Sequence, residues 1–119
     1  MIIRLERDIV CMGDDCTAPN AASLEIADTA GLPELLGQIR KMYYLASIYG
    51  GKATWVLYKE QKPLAVVAQQ WEEAKYLIDP GTRLFELFPG AASGDLRFAY
   101  RTQQDPDEVF RLLHAGSER

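Results

Sequence analysis

The chain has 119 residues, of which 48% are hydrophobic and 25% are charged, and its formal net charge is −4. This composition excludes a disordered chain, a collagen-like repeat and a disulfide-dense scaffold, and no apolar run approaches the roughly 20 residues of a membrane span. The pI near 5.0 disfavours a general nucleic-acid binder, which needs an excess of Lys and Arg. We therefore expect one cytoplasmic domain over residues 1–119, with a tail that frays over about 116–119 and no signal peptide.

The first third of the chain predicts an antiparallel strand pair followed by a helix. Residues 2–12 predict a strand with Ile3 and Leu5 on one apolar face. Arg7 interrupts this face, and three interpretations are open: a bulge, a paired buried charge, or a strand end at which the guanidinium reaches solvent. A turn-rich loop over 13–22 leads to a short strand over 23–27. Pro33 suits the first position of the helix, where its missing N–H would have no partner. Its apolar stripe comprises Leu32, Leu35, Leu36, Ile39 and Tyr43.

The centre of the chain carries the strongest strand signal. Residues 53–59 and 64–70 are rich in β-branched and aromatic side chains, and the turn-forming residues 60–63 join them as a hairpin. Both segments are apolar on both faces. This pattern predicts a hairpin in the middle of the sheet, with partial cover on each side.

The last third predicts two more strands and two helical segments. A short strand over 75–78 and a turn over 79–81 precede a single helical turn capped by Thr82. The strand over 95–101 points Arg97 and Arg101 outward. Asp105 caps the final helix, with Glu108 as the reciprocal capping-box acid. The sum is an α+β fold: a mainly antiparallel sheet of five to seven strands, two main helices and one short helical turn.

The residues that usually carry catalysis or bind metal are scarce. His114 is the only histidine and lies near the end of the last helix, where nothing in the sequence fixes its geometry. Cys11 and Cys16 are spaced C-x4-C without the second ligand pair of a zinc site. No phosphate-binding loop, dinucleotide fingerprint, metalloprotease motif or nucleophile elbow is present. We predict no catalytic residue, no metal, no cofactor and no enzymatic activity.

The charge distribution favours a binding surface instead. Residues 1–39 contain seven acids and two bases, whereas residues 40–101 contain nine bases and six acids. Complementary charge accelerates association with a basic partner. The candidate contact residues are Asp14, Asp15, Trp71, Glu72 and Glu73. The alternative for the tryptophan is a core-edge position, and for the charges a solvated surface.

In size, charge and α+β pattern the whole chain resembles the bacterial immunity proteins of contact-dependent and other polymorphic toxin systems. The segments to compare first are 50–58 (GGKATWVLY) and 65–71 (AVVAQQW). The resemblance implies a protein that binds one cognate toxin domain, in some systems a nuclease with a basic cleft, and occludes its active site. From the charge and the lack of a long apolar run we expect no nucleic-acid or membrane partner, and the oligomeric state stays open.

Two other classes of function stay open. One is a small ligand-binding domain or enzyme with a pocket of scattered residues, in which Arg7, Arg97 or Arg101 holds an anion. The other is a structural or assembly module with a large apolar interface between copies.

Overall fold

The computed structural model describes residues 1–7, 21–41, 54–68, 71, 73–101 and 105–117. The strands in these ranges are β1 (Ile2–Arg7), β2 (Ala21–Glu25), β3 (Thr54–Lys59), β4 (Lys62–Ala68), β5 (Lys75–Tyr76) and β6 (Ser93–Arg101). The helices there are α1 (Leu32–Lys41), α2 (Leu84–Leu87) and α3 (Pro106–Ser117). The α+β prediction of two longer helices and one helical turn is therefore confirmed for this part of the chain.

The six described strands form one mixed sheet in the order β2-β1-β6-β3-β4-β5. Four of the neighbouring pairs are antiparallel, as expected for a mainly antiparallel sheet. The exception is the pair of β1 and β6, which run parallel with Leu5 opposite Leu96. This pairing joins segments about ninety residues apart and places the first strand inside the sheet rather than at its edge.

Helices pack against the sheet on both faces. The inner face is the one on which α1 and α2 pack, and its core includes Trp55, Leu57, Phe98 and the α1 stripe of Leu32, Leu35, Leu36 and Ile39. The outer face carries α3, whose Val109 packs with Val56 and Val66. The central hairpin is thus covered on both sides, as its two apolar faces predict.

Several boundaries differ from the predicted ones because backbone pairing sets them. β2 spans Ala21–Glu25 rather than 23–27, because these five residues are the ones that pair with Ile2–Glu6 of β1, and a turn follows at residues 28–29. β4 begins at Lys62, which shortens the hairpin connection to two residues, and Glu60 there adopts a left-handed φ of 56°. β5 ends at Tyr76 and β6 begins at Ser93. Predicted residues 8–12 of the first strand, 13–20 of the loop, Tyr43 of the helix stripe, and residues 53 and 69–70 of the hairpin lie outside the described ranges.

The helix ends also refine the predictions. Arg83, not Thr82, is the N-cap of α2, and its backbone N–H donates to Glu86 at 2.8 Å. Asp105 caps α3 as predicted, since its carboxylate accepts from the N–H of Asp107 at 3.1 Å. Glu108, expected to complete that cap, binds Arg111 instead. α3 extends to Ser117, and residues 118–119 lie outside the described ranges, so the expected fraying of the tail over about 116–119 stays a prediction.

The structure excludes two of the three interpretations of Arg7. β1 keeps its register with β6 through the pair of Arg7 and Phe98, so there is no bulge at this point. The side chain is 4% exposed and therefore does not reach solvent at a strand end. Arg7 is thus a buried residue with an interaction partner where β1 ends, which leaves the interpretation of a paired buried charge.

Candidate functional site

The predicted contact residues divide between described and undescribed parts of the chain. Asp14, Asp15 and Glu72 lie outside the described residues. Trp71 is half-buried and Glu73 is exposed, and both lie beside the short edge strand β5. The structure thus places two of the five predicted residues, at one margin of the sheet.

Trp71 is held between the sheet and α3. It packs against the outer-face cluster that includes Val66 and Val109. The Lys75 ammonium lies 4.6 Å from the centre of its ring and also forms an ion pair with Asp107 at 2.7 Å. One face of the indole therefore already contacts a cation, an arrangement that stabilises the ring at the edge of the core. The core-edge and contact interpretations of Trp71 are compatible, since a half-buried ring retains exposed surface.

Glu73 contributes to a groove of about 430 Å³ between α1 and β5. Leu36, Arg40 and Tyr76 also line this groove. Partial burial raises the pKa of the Tyr76 phenol, the Glu73 carboxylate raises it further, and the Arg40 guanidinium lowers it. Arg40 also donates to the backbone carbonyl of Trp71 at 3.3 Å, which ties α1 to this margin.

Replacing Tyr76 by phenylalanine is expected to reduce the loss of stability at alkaline pH. A raised pKa means that the fold favours the neutral phenol, whose contribution is present below the ordinary value of 10.0 and is lost as pH rises through the higher folded value. Urea unfolding at about pH 8 and about pH 11 measures the difference. Glu73→Gln, which removes one cause of the shift, should move the transition part of the way. Identical pH profiles for the wild type and Tyr76→Phe would contradict the assignment.

A larger groove, of about 670 Å³, lies on the part of the outer face formed by β2, β1 and β6. We call this the outer groove. Its charged lining residues are Arg4, Glu6, Glu60, Asp95 and Arg97. Arg4 donates to Asp95 at 2.6 Å, and this hydrogen bond lowers the pKa of the Asp95 carboxyl. Glu6 and Glu60 form no ion pair with any residue of the described ranges, so their charges are available to a partner.

The three arginines considered as anion ligands do not form one group. Arg97 and Arg101 both approach Tyr58 on the outer face: the Arg97 guanidinium lies 4.8 Å from the ring centre and Arg101 donates to the hydroxyl at 2.7 Å. The Nε atom of Arg101 is buried without a hydrogen-bond partner. Arg7 follows Ile3 and Leu5 on β1 and so belongs to the inner face. An anion site would draw on the outer-face pair alone.

No group of three or more His, Cys, Asp or Glu side chains in the described ranges is placed to hold a metal ion. His114, within α3, has its ring 5.7 Å from that of Phe110. Among helices of the described ranges, none has both the length and the apolar character needed to cross a bilayer.

Comparison of the chain with models of protein families, with curated proteins and with solved structures finds no match.

The outer groove is the feature that sequence reasoning missed. The alternation in β1 and β6 does put Arg4, Glu6, Asp95 and Arg97 on the polar sides of their strands. That signal could have identified each strand's exposed side. It could not show that the two polar sides adjoin, because that follows from the parallel pairing.

Proposed function

We propose that this chain is an immunity protein that binds a cognate bacterial toxin domain and neutralises it by covering the active site. The observation that supports this is the outer groove, a concave charged surface on which Glu6 and Glu60 have no cationic partner within the described ranges. Carboxylates of this kind attract a basic protein surface, which raises the association rate and orients the encounter. Asp14 and Asp15 would add to the same attraction.

The first experiment is co-expression with the C-terminal domain encoded by the reading frame directly upstream. The proposal expects that domain to inhibit growth alone, to be tolerated with this chain, and to co-purify with it. If the two proteins neither protect nor co-purify, the immunity proposal fails.

A second experiment locates the contact. The double reversal Glu6→Lys/Glu60→Lys should slow association about tenfold or more at low salt and make it less salt-sensitive. The matched control is Asp28→Lys/Glu34→Lys, which changes net charge equally at exposed acids outside the outer groove. Asp14→Lys/Asp15→Lys is tested in parallel with the same expectation. Equal rates for the groove variant and the control would remove the outer groove from the interface.

A second candidate, a site for a small anion, is supported by the unbonded Arg101 Nε beside Tyr58. Titration with inorganic phosphate distinguishes the two functions. Saturable binding that Arg101→Ala abolishes and Arg111→Ala leaves unchanged would favour the anion site. No phosphate binding, together with capture of the upstream domain, would favour the immunity function.

A further inference from the structure

β2 forms one margin of the described sheet. The backbone hydrogen bonds at its end show which of its residues direct their N–H and C=O groups toward β1 and which direct them away. Met1 and Ile26 exchange both backbone hydrogen bonds, at 3.0 and 2.9 Å. Since such pairs alternate along an antiparallel ladder, Leu24 and Ala22 also direct their N–H and C=O groups toward β1. The backbone groups of Ala21, Ser23 and Glu25 therefore point away from the sheet. The alternation along β1 is consistent with this, because the Ile2 N–H points away from β2 and donates to Ala92 on the β6 side.

This row of backbone groups is unpaired within the described part of the chain. Open edges are usually protected by short length, by lysine, by proline or by a bulge. The opposite margin, β5, has two residues and begins with Lys75. β2 has five residues, no lysine, no proline and no shift of register against β1. Within the described residues, β2 thus has none of these four protections.

We propose that β2 pairs with the β2 strand of a second copy of this chain, antiparallel about a two-fold axis at Ser23. Ser23 then faces Ser23 of the second copy, and Ala21 faces Glu25 on each side of the axis. All three outward-facing residues of each copy form hydrogen-bonded pairs, and the two sheets become one continuous sheet. No other position of the axis pairs all five residues.

The side chains are complementary in this register. Leu24 lies opposite Ala22 of the second copy, so a large apolar side chain meets a small one on the inner face. Both residues pack partly buried against the inner core, which the pairing extends across the axis. Each Glu25 faces an alanine rather than a like charge, so the register brings no carboxylates together.

Cysteine cross-linking tests the register. Two Ser23 Cα atoms would lie about 5.5 Å apart, within the range of a disulfide. Ser23→Cys should therefore give a covalent dimer on mild oxidation. Ala21→Cys is the matched control, because the Cα atoms of its two copies would be about 14 Å apart, beyond the reach of a disulfide. Both variants retain Cys11 and Cys16, so the native thiols contribute equally. Equal cross-linking of the two variants would overturn the proposal.

Sedimentation of the unmodified chain tests the association itself. The wild type should show a concentration-dependent monomer–dimer equilibrium. Ser23→Pro removes one outward N–H from each copy while sparing the hydrogen bonds to β1, and should raise the dissociation constant about tenfold or more. Ser23→Ala keeps the N–H and should dimerise like the wild type. A wild type that stays monomeric, or a folded Ser23→Pro variant that dimerises equally well, would refute the pairing.

Discussion

Replacing Phe98 by alanine is expected to lower the free energy of unfolding by about 3–5 kcal/mol. Phe98 lies on β6, between β1 and β3, and its side chain is fully buried in the inner core. Its removal leaves a cavity in the middle of the sheet, where neighbouring strands are held by hydrogen bonds on both sides and cannot collapse into the space.

The matched control is Phe85→Ala, the same chemical change on α2 at a side chain that is 46% exposed. It should cost much less, because less apolar surface returns to water. Denaturant titrations followed by circular dichroism measure both. Since a total stability of about 5–15 kcal/mol is usual, Phe98→Leu provides a milder variant that stays folded. Equal losses for Phe98→Ala and Phe85→Ala would contradict the position of β6 at the centre of the core.

Replacing Gly94 by alanine is expected to destabilise the fold by about 1–3 kcal/mol. Gly94 is buried in β6, and a Cβ atom there would lie 2.7 Å from three atoms of the Phe88 ring. The ring, packed against the inner core, would have to move away. The same substitution at Gly37 in α1 is the control, because no atom lies within 4 Å of its Cβ position. Gly37→Ala should stabilise the helix by roughly 0.5–1 kcal/mol.

A double-mutant cycle identifies the cause of the Gly94 effect. In a Phe88→Ala background the cost of Gly94→Ala should fall toward zero, because the obstructing ring is absent. Thermal or denaturant unfolding of the four proteins gives the coupling free energy. A cost that does not change with the residue at position 88 would show that backbone conformation, rather than contact with this ring, requires glycine.

The predicted elements show where local patterns are sufficient. Strand alternation, the α1 stripe and the Asp105 cap depend on residues close together in sequence, and the structure confirms each in the described ranges. The predictions were wrong where the boundary of an element depends on a segment that is distant in sequence. β2 was predicted two residues late because its extent follows from its register with β1. The N-cap of α2 differs from the predicted Thr82 because Arg83 pairs with Gly31 and the Leu84 N–H donates to Ala30, a segment about fifty residues earlier in the chain.

The candidate contacts were only partly predictable. The polar and aromatic cluster around Trp71 predicts Trp71 and Glu73 as contact residues; both lie at the margin of the sheet, and their contact role stays a prediction. The Lys75 cation on the indole was not foreseen, because it also requires α3 to bring Asp107 to the same place. Arg97 and Arg101 were expected to point outward. Their common approach to Tyr58 depends on the pairing of β6 with β3.

What the sequence by itself determined is the type of each element and the side that each turns to the core, because periodicities of 2 and 3.6 residues are local properties. Only the tertiary structure decided that β1 runs parallel to β6, that α3 packs on the outer face, and that Arg4 and Glu6 adjoin Asp95 and Arg97. Strand order depends on free-energy differences summed over many contacts between distant segments. No single stretch of the chain contains all of those contacts. Local sequence therefore could not predict the outer groove, which forms only when β1 and β6 lie side by side.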